Sequence, residues 1–232
     1  MQPKHGCCLI QFFVDLIVRI CYNRYELYGR CVVVIMSQTE NVSCIMDQQH
    51  GYISSKDARS HGVENKTLQR MASNGLIERV AHGLYVGAEI FPDPFYIAQY
   101  RCPKGIFSHE TALYLHEISD RVPLRLMMTI PSGWNSKLLT DESMRFFYCE
   151  PERMQIGVEE IETSLGAKVN VYDIERTLCD CLRYIDKLER DMVLTALKRY
   201  VKGDACDSAK LLKYATEFKI RDIVYRYLEV LV

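Results

Sequence analysis

The sequence predicts an α+β protein, and three observations carry that reading. Between Asn41 and Val86, apolar spacing, glycine stops and capping residues alternate too closely for anything but short elements. A two-proline junction, FPDPF from Phe91 to Phe95, then interrupts the chain. Beyond it strand patterns come first, and from Asp173 onward the apolar spacing is helical.

Taken in order, VSCIMDQQHGY reads as a helix stopped at Gly51. Ser54 or Ser55 caps a second short helix, KDARSHG, ending at Gly62. Asn65 caps a third, which stops at Asn74-Gly75 in a left-handed turn. LIERV and LYV pair as a hairpin around Ala81-His82-Gly83. Three helices and a hairpin in this order predict a winged helix-turn-helix over residues 37–90. Residues 91–232 are expected to form a second, mixed domain. Here PFYIAQYRC and SHETALYLHEIS read as helices, the second capped by Ser108. LRLMMTIP, MRFFYCE, IGVEEIE and AKVNVYD read as strands of a small β-sheet, with Gly166 between the last two. A C-terminal helical run follows, opened by Ile174, Leu178, Cys181, Leu182 and Ile185 at helical spacing.

Residues 1–36 stand apart as an apolar extension. CCLIQFFVDLIVRICY is interrupted by Asp15 and Arg19, short of the roughly 20 apolar residues a spanning helix needs. It lacks a small-residue cleavage site. Three readings stand: a docked amphipathic helix, a membrane-surface segment, or an extension upstream of translation starting at Met36. The polar SQTENVSC that follows favours the last. No function is placed before Met36.

Composition bounds the function. The 232 residues are 48% apolar and 25% charged, ordinary for a globular protein. A net charge of -1 supplies no global positive field, so any contact with nucleic acid must be made by a local surface. Ten cysteines form no CxxC pair and no zinc-finger set, which predicts reduced, mostly buried cytosolic thiols.

The third helix offers that local surface. Leu68, Met71 and Ala72, with Leu76 beyond the stop, should face inward. Lys66, Gln69, Arg70 and Ser73 fall together on the opposite face at i, i+3, i+4, i+7. Arg bonds guanine O6 and N7, Gln does the same on adenine, and Lys and Ser hold phosphate. Asn65 and Thr67 complete the candidate DNA-binding set on this helix, and Arg79 and His82 add a contact from the hairpin. Any amphipathic helix shows a polar face, however, and residues 37–89 carry five cations against six anions. A winged helix used for protein contact is the competing reading.

Enzymatic signatures are missing. His109 and His116 in SHETALYLHE do not form HExxH and lie two turns apart, too far for one metal ion. No P-loop, GxGxxG or GxSxG occurs, and Cys179 and Cys181 have no evident base. A non-enzymatic protein without metal or cofactor is expected.

The run from Gly51 to Val86 resembles the N-terminal domain of the AbiEi family, antitoxins of type IV toxin–antitoxin systems in abortive phage infection. The residues that carry the resemblance are GYISSKDARSHGV, then Thr67, Leu68, Gly75, Leu76, Arg79, Val80, Gly83, Leu84 and Tyr85. SHETALYLHEISDRVP, MMTIP and ERTLCD extend it to the Cys181 region. The resemblance implies a cytoplasmic repressor that binds operator DNA upstream of its own operon. It also implies a C-terminal domain that counteracts a nucleotidyltransferase toxin without a tight complex, and no membrane partner. His82 departs from the pattern, since relatives often carry Arg before this glycine. With an unperturbed pKa of about 6.5, His gives the wing a weaker hold on phosphate.

Within the implied antitoxin domain the motif residues are Glu175, Arg176, Thr177 and Asp180. Arg176 and Asp180, four apart, can pair on one helical turn. The helix is then either a packing unit with an internal ion pair or a contact surface for antitoxicity. Two further readings of the whole chain stay open: a regulator whose C-terminal domain senses a ligand or dimerises, and an enzyme with an unrecognised C-terminal activity.

Overall fold

The structure is a computed structural model that describes residues 26–27, 30–31, 37–135, 137–204 and 206–231. Glu26–Leu27 pairs antiparallel with Arg30–Cys31; the other expectations for residues 1–36 lie outside the described residues. The chain divides into two compact units between Phe91 and Pro92.

In the first unit, α1 (Gln38–Gln48) begins at Ser37 in a capping box closed by Glu40, which satisfies two orphan donors of the first turn. It ends through His50 and Gly51, both in the left-handed region. A side chain at Gly51 would also run into Ile90, so glycine answers both demands there. Then come β1 (Tyr52–Ser54), α2 (Ser55–Ser60) capped by Ser54, α3 (Asn65–Ser73), β2 (Ile77–Ala81) and β3 (Leu84–Gly87). The three strands form an antiparallel sheet in the order β1-β3-β2, with a register shift between Arg79 and Ala81. Val42, Ile45, Ile53, Ala58, Leu68, Met71, Ile77 and Tyr85 close one core between the helices and this sheet. This is the winged helix-turn-helix.

Two details differ from expectation. The strand β1 was hidden in GYIS, too short to show alternation. Leu76 is 54% exposed and Ile77 takes its place in the core. The left-handed Gly75 reverses the chain after α3, so the next inward position is set by the period of the strand rather than of the helix.

The second unit holds α4 (Pro94–Arg101), β4 (Ile106–Phe107), α5 (His109–Leu115), β5 (Leu126–Pro131), β6 (Met144–Cys149), β7 (Val158–Glu162) and β8 (Lys168–Tyr172). The helical run is α6 (Ile174–Arg183), α7 (Arg190–Lys202), α8 (Ser208–Glu217) and α9 (Arg221–Leu231). The sheet is mixed, in the order β6-β5-β4-β8-β7, with β5–β6 and β4–β8 parallel. Its centre, β4, has only two residues, both buried, and it escapes periodicity for that reason. Asp93 caps α4, accepting from the Phe95 and Tyr96 amides, and also takes the Thr163 hydroxyl. Phe95, Phe107, Met128, Ile130, Val169 and Val171 form the core under the sheet. Leu178, Leu182, Val193, Leu197, Leu211 and Phe218 form a second core among the helices. Chain segments run mixed helix and strand throughout, as the α+β reading requires. Among the described residues no helix is long and apolar enough to cross a membrane. Cys102, Cys149, Cys179, Cys181 and Cys206 are free thiols.

Candidate nucleic-acid interface

The helix α3 is set by its buried side. Leu68 is fully buried and Met71 nearly so, while Ala72 is half-buried at the edge. Fixing those positions turns Lys66, Gln69, Arg70 and Ser73 outward, and all four are exposed. Their arrangement is the one the spacing predicts, a cationic and amide-bearing stripe along one face. The Ser73 hydroxyl donates to Gln69 O at 2.9 Å, which holds it against its own helix.

Two of the candidate residues are placed differently from expectation. Asn65 is not the cap: Glu64 occupies that position without a side-chain bond, and Asn65 is the first helical residue, exposed. Thr67 is 6% exposed and donates its hydroxyl to Gln38 Oε1. It faces α1, not the outward stripe, because one residue after Lys66 the helix has turned 100°. Thr67 therefore ties α3 to α1.

At the hairpin, Arg79 and His82 are both exposed. The Arg79 Nε donates to Ala81 O at 3.3 Å, curling the side chain along the bulged strand. Gly83, left-handed at φ 75°, closes the tip, and its carbonyl accepts from Ser55 N at 2.7 Å. That bond anchors the hairpin tip to the start of α2. Lys56 and Arg59 are exposed on α2 and were not among the sequence candidates. Their signal was present, since both lie on the polar side of a helix whose one buried residue is Ala58.

The ERTLCD segment is a buried network. Glu175, Arg176, Thr177 and Asp180 are at most 6% exposed. Arg176 Nε donates to Asp180 Oδ2 at 2.8 Å, and its Nη1 donates to the carbonyls of Arg153 and Ile156. Its guanidinium lies between the rings of Tyr172 and Phe218, 4.4 and 3.7 Å from their centroids. Glu175 accepts from Tyr200 Oη and from Lys210 Nζ, each at 2.8 Å. Burial works to raise its carboxyl pKa, but those two bonds overcome it and hold the group below its usual range. Thr177 donates to Tyr172 O at 3.1 Å. These four side chains present no open surface to a macromolecule. Among the described residues no cluster of His, Cys, Asp and Glu is arranged to hold a metal ion.

Residues 46–86 match the model of a family described as transcriptional regulator, AbiEi antitoxin. The resemblance read from the motifs is borne out over that segment, which runs from the end of α1 to the last strand of the winged unit. No curated protein matches the chain. Among solved structures the chain is similar to the crystal structure of the RV2827C protein from Mycobacterium tuberculosis, with a TM-score of 0.55 and 11% identity. The match covers 83% of this chain and 80% of that one, and it is a likeness of fold.

Proposed function

We propose that the chain is a DNA-binding regulator that represses its own operon and serves as the antitoxin against a nucleotidyltransferase toxin. The observation that carries this reading is the outward stripe of Lys66, Gln69 and Arg70 on α3, in a unit whose residues match an antitoxin regulator family. In the proposed complex α3 lies in the major groove, with Arg70 and Gln69 reading base edges and Lys66 holding phosphate. Asn65 and Ser73 bound the same face, and Arg79 and His82 reach the backbone from the hairpin. The protein acts by binding and not by catalysis.

Fluorescence anisotropy with the DNA upstream of the chain's own gene tests this. Arg70→Ala should weaken binding by about 1–3 kcal/mol if Arg70 reads a base. Lys66→Ala should weaken all sequences alike and flatten the salt dependence. Equal affinity of Arg70→Ala and wild type removes α3 as the reading helix. The antitoxin half has its own assay: co-expression with the toxin encoded beside it should restore growth. Failure of the full-length protein to rescue would overturn that half while leaving the DNA half standing.

A further inference from the structure

The second unit contains a cavity of about 190 Å³ whose wall includes the ERTLCD helix. That is room for about six waters at roughly 30 Å³ each. Four donors come to it from three parts of the unit: His109 at the start of α5, Arg153 after β6, and Arg176 and Arg183 on α6. The carboxylates on the same wall are Asp180 and Glu150. Asp180 is committed to Arg176. Glu150, largely exposed, lies 3.4 Å from Arg153. Arg153 also lies 4.0 Å from Glu217, which is outside the lining; within the lining itself three guanidinium groups face two carboxylates.

His109 is the unusual member. It is 1% exposed and stacked on Phe147 with centroids 3.6 Å apart. Its backbone is left-handed at φ 52°, a conformation that a bulky residue adopts only under strain. Thr129 donates to Ser108 Oγ at 2.9 Å, and Ser108 Oγ also bonds His109 Nδ1 at 2.9 Å. When Ser108 donates in that second bond, the ring proton sits on Nε2. His109 Nε2 is the one buried side-chain nitrogen or oxygen among the described residues without a protein partner. A buried polar atom left without a partner is destabilising, because it has given up its bond to water. With Nδ1 turned to Ser108, Nε2 is the ring nitrogen without a protein partner, and the residue lines the cavity.

We propose that this cavity binds a phosphate group, free or carried as a small monoester, between the guanidinium groups of Arg183, Arg153 and Arg176, with the His109 Nε2–H as a neutral donor from the floor. Donors that arrive from several elements suit a tetrahedral oxyanion, and guanidinium groups hold phosphate by paired charge-assisted bonds. The printed bond of Arg183, to Phe218 O, uses one of its five N–H groups, so it can add a ligand without giving up its protein contact. The antitoxin motif then does a second task. It builds the wall of a ligand site, through which a phosphorylated compound can act on the helical layer.

The site does not depend on the DNA-binding reading, and its test is separate. The full-length protein is titrated calorimetrically with inorganic phosphate and with phenyl phosphate, and the histidine ring nitrogens are followed by long-range ¹H–¹⁵N spectra. Saturable binding that moves the His109 Nε2 resonance is expected. Arg183→Ala, at an exposed position, should weaken it about tenfold or more, while Lys202→Ala, outside the lining, should leave it unchanged. Tighter binding of inorganic phosphate identifies the free ion as ligand, and tighter binding of phenyl phosphate identifies a monoester. No saturable binding of either, an unmoved His109 resonance in the wild type, or unchanged affinity in a folded Arg183→Ala each overturns the proposal.

Discussion

Arg176→Ala should lower the unfolding free energy of the second unit by about 3–5 kcal/mol, because it leaves the Asp180 carboxylate buried without its partner. The loss has other sources too. The guanidinium also satisfies two carbonyls and fills the space between Tyr172 and Phe218. Phe218 closes α8 and Tyr172 ends β8, so Arg176 joins the sheet to the helical layer. Asp180→Ala should cost a comparable amount, since it strands the opposite charge. The double replacement Arg176→Met with Asp180→Leu should cost less than either single one, because a buried ion pair replaced as a whole by apolar groups is often close to neutral. Urea unfolding followed by fluorescence of Trp134, the sole tryptophan, reports this unit directly. A single variant within about 1 kcal/mol of wild type, or a double that simply adds the two losses, would overturn the account.

The protein should also lose stability steadily as pH falls from 6.5 to about 4.5, and His109 should be the cause. Its pKa is pushed down to about 3, first by burial and then by the charges of Arg145 and Arg176. In the unfolded chain the group returns to about 6.5. Between the two values the unfolded state binds a proton that the folded state refuses, so stability falls with falling pH. The slope is at most about 1.4 kcal/mol per pH unit, so the loss over this window is about 2–3 kcal/mol. Lowering of carboxyl groups such as Glu175 acts mainly below it. His109→Gln removes the proton without removing the polar contact and should flatten the curve. Parallel pH profiles for the two proteins would show that His109 does not carry the effect.

Much of the fold was legible because its signals are local. The stops at Gly51, Gly62, Gly75 and Gly166 are all left-handed in the structure. Ser54 caps α2, and the four helices after Asp173 follow their apolar spacing. The outward face of α3 was legible for the same reason: once Leu68 and Met71 are inside, helix geometry dictates where Lys66, Gln69 and Arg70 point. Thr67 was misjudged because its partner, Gln38, is distant in sequence. The strands β1 and β4, three and two residues long, give periodicity too little to act on.

The C-terminal site belongs to another category. The spacing of Arg176 and Asp180 announced an ion pair, and the pair forms. Nothing in the spacing shows that both are buried, or that Tyr172 and Phe218 sandwich the guanidinium. His109 looked like half of a failed metal motif and is instead an imidazole held neutral beside a cavity lined by three guanidinium groups.

What the amino-acid order determined alone is the set of elements, their caps and stops, and which side of each amphipathic helix is polar, since these depend on neighbours within a few residues. Only the tertiary structure decided which polar groups are shut away from water and which charges converge on one space. Burial and convergence are made by residues far apart in the chain, such as His109, Arg153, Arg176 and Phe218, and burial together with the charges of Arg145 and Arg176 pushes the His109 pKa down.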